Sequence, residues 1–330
     1  MQLLDRFGPE PQVAAPAVSL DEALAYVRGL ASTHYENFSV LSSLVPRELR
    51  DDFAAVYAYC RWSDDLADET GADDAARARS EALLAWWRGE LERCFADPAG
   101  YSEQPGAHPV FTALAQTVRR HGLPAAPFHH LLDAFVQDQR VTRYQTWDEL
   151  LGYCRGSANP VGRIVLHRGG YPDTPENAER YAMSDAICTA LQLTNFWQDV
   201  RRDLLERDRV YMPTFETGLA AETLRHWAEH GRDDPDARVG FIRALRPLVE
   251  RTWELFDRGR PLPRTLGPTL RPIVWLFAAG GRSVLRSVER VGCATLWERP
   301  TLGTARKGLL IAQAWGLRGL GGAVSSGARG

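Results

Sequence analysis

The chain has 330 residues, of which 45% are apolar and 25% are charged, the balance of a globular protein with a substantial core. This composition excludes an intrinsically disordered chain, a collagen and a coiled-coil rod. The formal net charge of −3 gives no basic field of the kind that nucleic-acid-binding proteins carry, so we expect no nucleic-acid partner.

The cysteines and the apolar runs indicate the compartment. Five widely spaced cysteines without a Cys-x-x-Cys pair indicate neither a disulfide framework nor a zinc site, and they fit a reducing environment. The first residues lack the apolar core of a signal peptide. The longest apolar run, residues 273–279, is too short to cross a bilayer. We therefore expect a cytoplasmic protein.

Helical periodicity dominates the chain, and convincing strand alternation is absent, which predicts an all-α fold in a single domain over residues 1–330. In chain order, Ser19 caps a first helix, and a long helix starts at Arg47. A capping box, Thr146 to Glu149, starts a helix that is expected to reach about residue 166. Further helices are predicted at 176–203, 217–230, 235–258, 269–290 and 302–316, with a flexible tail at 321–330.

An acidic pair lies near the end of the helix that starts at Arg47. Asp64 and Asp68 are four residues apart, so their carboxylates lie on one face of the helix. Like charges at this spacing destabilise a helix unless a cation compensates them. The same spacing recurs only at Asp199 and Asp203.

The second acidic pair continues a polar stripe. Gln192 and Asn195 precede Asp199 and Asp203 on a predicted helix whose other residues are largely apolar. A polar stripe on such a helix favours a lined cavity over bulk solvent. Oxygen ligands on two helices suit Mg²⁺, which keeps several waters and shares substrate phosphates. Two solvated acidic patches are the alternative, but two such pairs beside aromatic and amide residues favour the metal site.

Four segments of the chain resemble motifs of the squalene/phytoene synthase family, and they follow each other along the chain in the order that the family has. Residues 57–68 (YAYCRWSDDLAD) and 191–203 (LQLTNFWQDVRRD) resemble the two aspartate-rich motifs of the family. Residues 153–162 (YCRGSANPVG) resemble its central motif, and residues 209–213 (RVYMP) resemble the segment after the second aspartate pair. Together these motifs fall within about residues 36–213 of the chain.

The resemblance implies an isoprenoid-synthase fold with a central hydrophobic cavity that binds a prenyl diphosphate. It also assigns roles to residues by their position in the motifs. The implied Mg²⁺ ligands are Asp64, Asp68, Asp199 and Asp203. The implied substrate-binding residues are Phe38, Arg61, Val161, Gln192, Asn195, Arg209 and Tyr211, and the implied catalytic residues are Tyr57, Tyr153, Ser157 and Asn159.

Two departures from the family pattern narrow the expected reaction. Members that join two prenyl diphosphates usually carry Ser-x-Ser-Phe where this chain has Glu-Asn-Phe at residues 36–38. Most members carry Val-Ala-Gly where this chain has Ser-Ala-Asn at residues 157–159. Both departures resemble the branch of the bacterial hopanoid pathway that converts presqualene diphosphate and water to hydroxysqualene. That resemblance implies a carbon–oxygen lyase with Mg²⁺ and without NADPH.

Several alternatives remain open at this point. Within the family, the chain could form presqualene diphosphate, squalene or phytoene from two prenyl diphosphates. Outside catalysis, it could be a prenyl-lipid binder or a helical scaffold. The run from Arg306 to Trp315 is basic and then apolar, so it predicts either a packed last helix or a peripheral contact with a membrane surface. The oligomeric state is open.

The polar residues of the central motif also have two interpretations. Ser157 and Asn159 could hold a water molecule that reacts with a carbocation, since an ordered water needs about two to four hydrogen-bond partners. Alternatively, Asn159 could satisfy backbone groups at a helix break, because it precedes Pro160.

The aspartate pairs give the first testable prediction. Asp64→Asn or Asp199→Asn should lower the turnover of a prenyl diphosphate by about a hundredfold or more, as expected for loss of an electrostatic catalyst. Each variant should fold with equal or higher stability, because a repulsion is removed. Pyrophosphate release is the measurement, and wild-type turnover in either variant would contradict the assignment.

Overall fold

The computed structural model describes residues 7–9, 18–34, 45–68, 74–104 and 106–322. The chain divides into two compact units, Met1–Arg140 and Val141–Gly330. In the described ranges all regular structure is helical, apart from one isolated bridge between Arg143 and Val210. The prediction of an all-α fold is confirmed, whereas the single domain stays a prediction.

In its described part, the first unit is built from consecutive helices. Their bounds are Leu20–His34 (α1), Arg47–Asp68 (α2), Asp74–Ala96 (α3), Pro109–His121 (α4) and Ala126–Gln137 (α5). The predicted start of α1 is confirmed by a capping box. The Ser19 hydroxyl accepts from the Glu22 backbone N–H at 3.3 Å, and the Ser19 N–H donates to the Glu22 carboxylate at 3.0 Å.

Stacked aromatic rings fill the core of the first unit around a buried histidine. The rings of Trp62 and Trp87 stack with centroids 5.3 Å apart. His108 lies edge-on to both, with its centroid 4.5 Å from Trp62 and 4.9 Å from Trp87. Its Nδ1 accepts from the Val110 N–H and thereby caps α4. Burial lowers the pKa of His108 to about 3, so the ring stays neutral at ordinary pH.

The second unit contains the longest helix of the described chain. The bounds of its helices are Trp147–Ser157 (α6), Asn159–Arg168 (α7), Ala178–Glu206 (α8), Thr214–Thr217 (α9), Ala221–His230 (α10), Pro235–Gly259 (α11), Arg271–Arg290 (α12) and Thr304–Gly322 (α13). Helix α8 packs against α7, α11 and α12, so it forms the centre of this unit. Trp197 on α8 is fully buried and donates its Nε1–H to the Thr252 hydroxyl of α11 at 2.8 Å.

The helix predicted from Thr146 to residue 166 is wrong in one respect. The capping box that starts it is confirmed, but the segment is two helices that separate at Ala158 (φ −120°, ψ −48°). Pro160 explains the break, because it has no N–H to donate and its ring would clash with the carbonyl one turn earlier. The helix predicted at 217–230 likewise starts later, at Ala221, because Gly218 ends the short helix α9 in a left-handed conformation with φ of 66°.

The last helix has both buried and exposed apolar residues. Leu310 and Ala314 are buried, while Leu309 and Trp315 are 48% and 46% exposed. Packing of this helix in the fold is thus confirmed, and contact with a membrane stays a prediction. No helix in the described ranges is long and apolar enough to cross a membrane. Residues 323–330 of the predicted tail lie outside the described residues.

His108 predicts how stability depends on pH. Its depressed pKa means that the stabilisation is complete above the pKa of an exposed histidine, about 6.5, and is lost as the pH falls towards about 3. Below about pH 6.5 the unfolded chain takes up a proton that the folded chain does not, and this favours unfolding. Between pH 7 and pH 5 this effect should cost the wild type about 2 kcal/mol.

The control for this prediction is His108→Asn. Asparagine keeps an N-cap acceptor but cannot take up the proton. Free energies of unfolding from urea titrations at pH 7 and pH 5 should therefore fall about 2 kcal/mol less in the variant than in the wild type. Equal losses in the two proteins would show that His108 does not cause the acid sensitivity.

Candidate active site

In the first unit, the predicted site residues lie along α2. Tyr57, Arg61 and Asp64 follow each other at four- and three-residue steps, so they share one face of the helix. Arg61 Nη1 lies 3.5 Å from the Asp64 carboxylate, and Arg61 Nη2 forms an ion pair with Asp65. Asp64 is thus compensated by an arginine of its own motif. Asp68 is the last residue of α2, and its side chain lies outside the described residues, as does Phe38.

In the second unit, the predicted polar stripe lies on α8. Gln192 is half-buried, Asn195 is exposed, and Asp203 is 9% exposed. The helix is interrupted at Asp199, whose backbone angles (φ −108°, ψ 18°) are not helical. The two carboxylates therefore lie on either side of a kink, a feature that the four-residue spacing does not reveal.

Asp203 is the more buried of the two carboxylates. Burial raises its pKa to about 6, and the nearby charge of Asp199 acts in the same direction, while the arginines at 207 and 209 oppose the rise. The backbone N–H of Arg209 donates to the Asp203 carbonyl at 2.9 Å, which ties the segment after α8 to the end of the helix. Arg209, predicted as a diphosphate ligand, is thus held next to the acidic pair.

Asp199 has an arginine partner that the sequence did not indicate. Arg299 donates its Nε–H to Asp199 Oδ1 at 2.5 Å and an Nη2–H to Oδ2 at 3.2 Å. This two-point contact is the strong geometry for an arginine and a carboxylate. The partners are separated by 100 residues, and no motif marks Arg299. Because of this pair, we expect Asp199→Asn to be less stable than the wild type and not equally or more stable. The substitution removes the attraction to Arg299 as well as the repulsion from Asp203.

The donor atoms of the second acidic motif are carboxylate oxygens, the kind of ligand that Mg²⁺ prefers. In the part of the chain that the structure describes, no group of three or more His, Cys, Asp or Glu side chains could hold a metal. Asp199 and Asp203 offer carboxylate oxygens from a single helix. Mg²⁺ is commonly held by one or two carboxylates and completes its shell with water and substrate phosphate. The residues present therefore fit Mg²⁺ together with a diphosphate.

An aromatic cluster lies beside the second acidic motif. Phe196 and Tyr211 stack almost in parallel, with ring centroids 3.7 Å apart. Tyr153 of α6 contacts both rings, at 6.1 Å from Phe196 and 5.9 Å from Tyr211. Tyr144 completes the cluster at 5.5 Å from Tyr153 and 5.9 Å from Tyr211. All four are buried, and Tyr144 lies in none of the sequence motifs.

The polar residues of the central motif lie at the junction of α6 and α7. The Ser157 hydroxyl is buried and has no hydrogen-bond partner among the described residues. Asn159 is 5% exposed, and its Oδ1 accepts from the hydroxyl of Thr189 on α8 at 2.9 Å. The Asn159 side chain thus bonds a neighbouring helix rather than the backbone of its own helix. Val161, predicted to bind substrate, is 38% exposed.

An all-α chain with two aspartate-rich motifs, arginines at each and a buried aromatic cluster has the features of an isoprenoid synthase. The sequence pattern of the squalene/phytoene synthase family matches residues 31–306. The chain therefore belongs to the squalene/phytoene synthase family.

Relatives in this family carry several names. A hydroxysqualene synthase of Zymomonas mobilis is 38% identical over 183 residues, which span 54% of this chain and about half, 55%, of that protein. A hydroxysqualene synthase of Rhodopseudomonas palustris is 33% identical over 69% of this chain and 70% of its own length. A phytoene synthase of Mycobacterium tuberculosis is 31% identical over 73% of each chain.

Two solved structures are also similar. The crystal structure of squalene synthase HpnC from Alicyclobacillus acidocaldarius superposes with a TM-score of 0.67 at 38% identity and covers 83% of this chain and 95% of that one. A dehydrosqualene synthase in complex with a ligand gives a TM-score of 0.73 at 21% identity, covering 90% of this chain and 96% of that one. The second likeness shows the fold alone, and together they confirm the expected isoprenoid-synthase fold.

The aromatic cluster predicts a contrast between two substitutions at Tyr144. Tyr144→Ala removes a buried ring that contacts two others, so it should lower the free energy of unfolding by about 3–5 kcal/mol. Tyr144→Phe keeps both ring contacts and removes only the hydroxyl, so it should change the free energy of unfolding by less than about 1 kcal/mol. Urea unfolding measures both. Equal losses in the two variants would show that ring packing is not what Tyr144 contributes.

Proposed function

We propose that this chain is a Mg²⁺-dependent hydroxysqualene synthase that converts presqualene diphosphate and water to hydroxysqualene and diphosphate. The observation that carries the proposal is the polar junction of α6 and α7, where the buried Ser157 hydroxyl has no hydrogen-bond partner within the part of the chain that the structure describes. A site that protects a carbocation from water has no use for such a group, whereas a site that adds water does. The hydroxysqualene synthases among the relatives support the same reaction.

The first step is loss of the diphosphate. The carbon–oxygen bond breaks and its electron pair leaves with the diphosphate, so negative charge accumulates on the leaving group. Arg61 and Arg209, each next to an acidic motif, would bind the phosphate oxygens with guanidinium forks. Mg²⁺ at the aspartates, when bound, supplies additional positive charge for the departing group.

The second step needs a protein surface that stabilises the carbocation without reacting with it. The faces of aromatic rings attract cations, and tyrosine and phenylalanine carry no strong nucleophile at neutral pH. Tyr153, Phe196 and Tyr211 form such a surface on the second unit. We propose that this surface contacts the cyclopropylcarbinyl cation and the allylic cation to which it rearranges.

The third step is addition of water. A water oxygen bonds to the cationic carbon, and the oxonium that forms releases one proton. We propose that Ser157 and Asn159 hold this water. The bond from Thr189 occupies the Asn159 carbonyl, so the amide N–H groups remain for the water oxygen, and the Ser157 hydroxyl can accept from the water. Tyr153 lies one turn before Ser157 on α6, which places the aromatic surface next to this pair.

The second candidate is a synthase that joins two prenyl diphosphates, which the phytoene synthase relative favours. The test incubates the purified chain and Mg²⁺ with presqualene diphosphate, with farnesyl diphosphate or with geranylgeranyl diphosphate, without NADPH. Hydroxysqualene from presqualene diphosphate alone is the expected result. Phytoene from geranylgeranyl diphosphate, or a product from farnesyl diphosphate only, would support the second candidate instead. Absence of pyrophosphate release in all three reactions would favour a non-catalytic prenyl-lipid binder.

Substitutions at the polar junction test the role of water. Ser157→Val and Asn159→Gly, singly and together, should shift products from hydroxysqualene to eliminated or rearranged hydrocarbons while pyrophosphate release continues. A several-fold change in the ratio of alcohol to hydrocarbon is expected, since loss of one hydrogen bond to a reacting group costs about 1–2 kcal/mol. Product ratios are measured by gas chromatography with mass spectrometry.

The matched control for this experiment is Thr295→Val. Thr295 is also buried with a hydroxyl that lacks a partner among the described residues, but it lies outside the central motif. Its substitution should leave the product ratio unchanged. If the folded double variant at 157 and 159 also keeps the wild-type ratio, other groups place the water.

A further inference from the structure

Four consecutive residues between α12 and α13, 297–300, are each bonded to another helix of the second unit, and we name this segment the strap. Trp297 donates its Nε1–H to the Trp227 carbonyl at 3.0 Å, and Glu298 accepts from Arg238 at 2.7 Å. Arg299 donates to Asp199, as described above. The carbonyl of residue 300 accepts from Gln198 Nε2 at 2.7 Å. The strap therefore meets α8 at two successive residues, 198 and 199.

The Arg299 guanidinium neutralises the Asp199 carboxylate, as a bound metal ion would. Asp199 is a carboxylate one turn from a second carboxylate, and either a guanidinium or a divalent cation can neutralise it. The guanidinium occupies both oxygens of the Asp199 carboxylate. A metal ion bound to either oxygen would repel the positive guanidinium, so the two cations compete for Asp199.

The exposure of the pair allows this exchange. The Arg299 side chain is 54% exposed, so water can solvate its guanidinium after release, while the Asp199 side chain is only 19% exposed and stays in place. Breaking the pair therefore leaves no buried arginine without a partner, which is the costly outcome for an ion pair in a protein interior. The contact thus has good two-point geometry, and its arginine can still be released into solvent.

We propose that Arg299 is the internal counter-cation of Asp199 in the metal-free protein and that a divalent cation displaces it. The inference rests on the metal role of Asp199 in the proposed function. Arg299 is thus a positioning residue, because it holds the Asp199 carboxylate in place until the metal arrives. Its release also removes one of the four contacts that fix the strap ahead of α13. Metal binding at α8 is thereby coupled to the segment that leads into the last helix.

The test measures metal binding without substrate. Mn²⁺ is titrated into the wild type, Arg299→Gln and Arg238→Gln, and free Mn²⁺ is followed by electron paramagnetic resonance. Arg299→Gln should bind Mn²⁺ about fivefold more tightly than the wild type, which corresponds to about 1 kcal/mol for a competing pair that is removed. Arg238→Gln removes an ion pair from the same strap without touching Asp199, so its affinity should equal that of the wild type.

Thermal unfolding gives the second readout. In EDTA, Arg299→Gln should unfold at a lower temperature than the wild type, because the Asp199 charge has lost its partner. Added Mg²⁺ should raise its unfolding temperature more than that of the wild type. Arg299→Lys, which keeps the charge but not the two-point contact, should fall between the two proteins in both measurements.

Three results would overturn the proposal. These are weaker Mn²⁺ binding in Arg299→Gln, an unchanged affinity, and no measurable binding in any of the proteins. The first result would mean that Arg299 assists the metal site rather than competes with the metal. None of these results decides which product the wild type forms from presqualene diphosphate, so failure here is separable from failure of the proposed function.

Discussion

The negative charge of Asp199 and Asp203 is the constraint around which the second unit is arranged. Both carboxylates belong to α8, which packs most extensively against α7, α11 and α12, and Asp203 is buried. Such a pair raises the free energy of the folded chain unless positive charge reaches it. The strap delivers Arg299 to Asp199, and the turn after α8 brings arginines to Asp203. Both contacts concentrate positive charge near the C-terminal end of α8.

The chemistry of α8 changes along its length. Carboxylates lie near its C-terminal end, Phe196 stands one turn before Asp199, and Thr189 lies seven residues before Phe196, about 10 Å along the axis. A prenyl diphosphate lying along this face would meet charge, then aromatic rings, then hydroxyl and amide groups. Under the proposed function this order follows the reaction, in which an anion leaves, a cation persists and water is added.

The two aspartate-rich motifs compensate their charge in different ways. Arg61 lies three and four residues before the carboxylates that it neutralises, so the helix itself brings the charges together. Arg299 lies 100 residues after Asp199, and only the packing of the strap against α8 places it there. The pairs that Arg61 forms persist whenever α2 is helical. The pair of Arg299 and Asp199 depends on the packing of the second unit, so a change at Asp199 can affect the strap and a change in the strap can affect Asp199. This difference makes Arg299, and not Arg61, the coupling element.

The sequence by itself determined what depends on nearest neighbours along a helix. These features are local, because backbone hydrogen bonds of a helix join residues four apart. They include the capped helix starts at Ser19 and Thr146, the spacing of the carboxylates and the family motifs. The predicted extent of the helix after Thr146 was wrong, because a capping box marks where a helix starts and not where it ends, and Pro160 interrupts it. Tertiary structure alone decided the contacts of Arg299, Tyr144 and Thr189. Those side chains meet partners from distant segments, and the packing that brings them together leaves no periodic trace in the sequence.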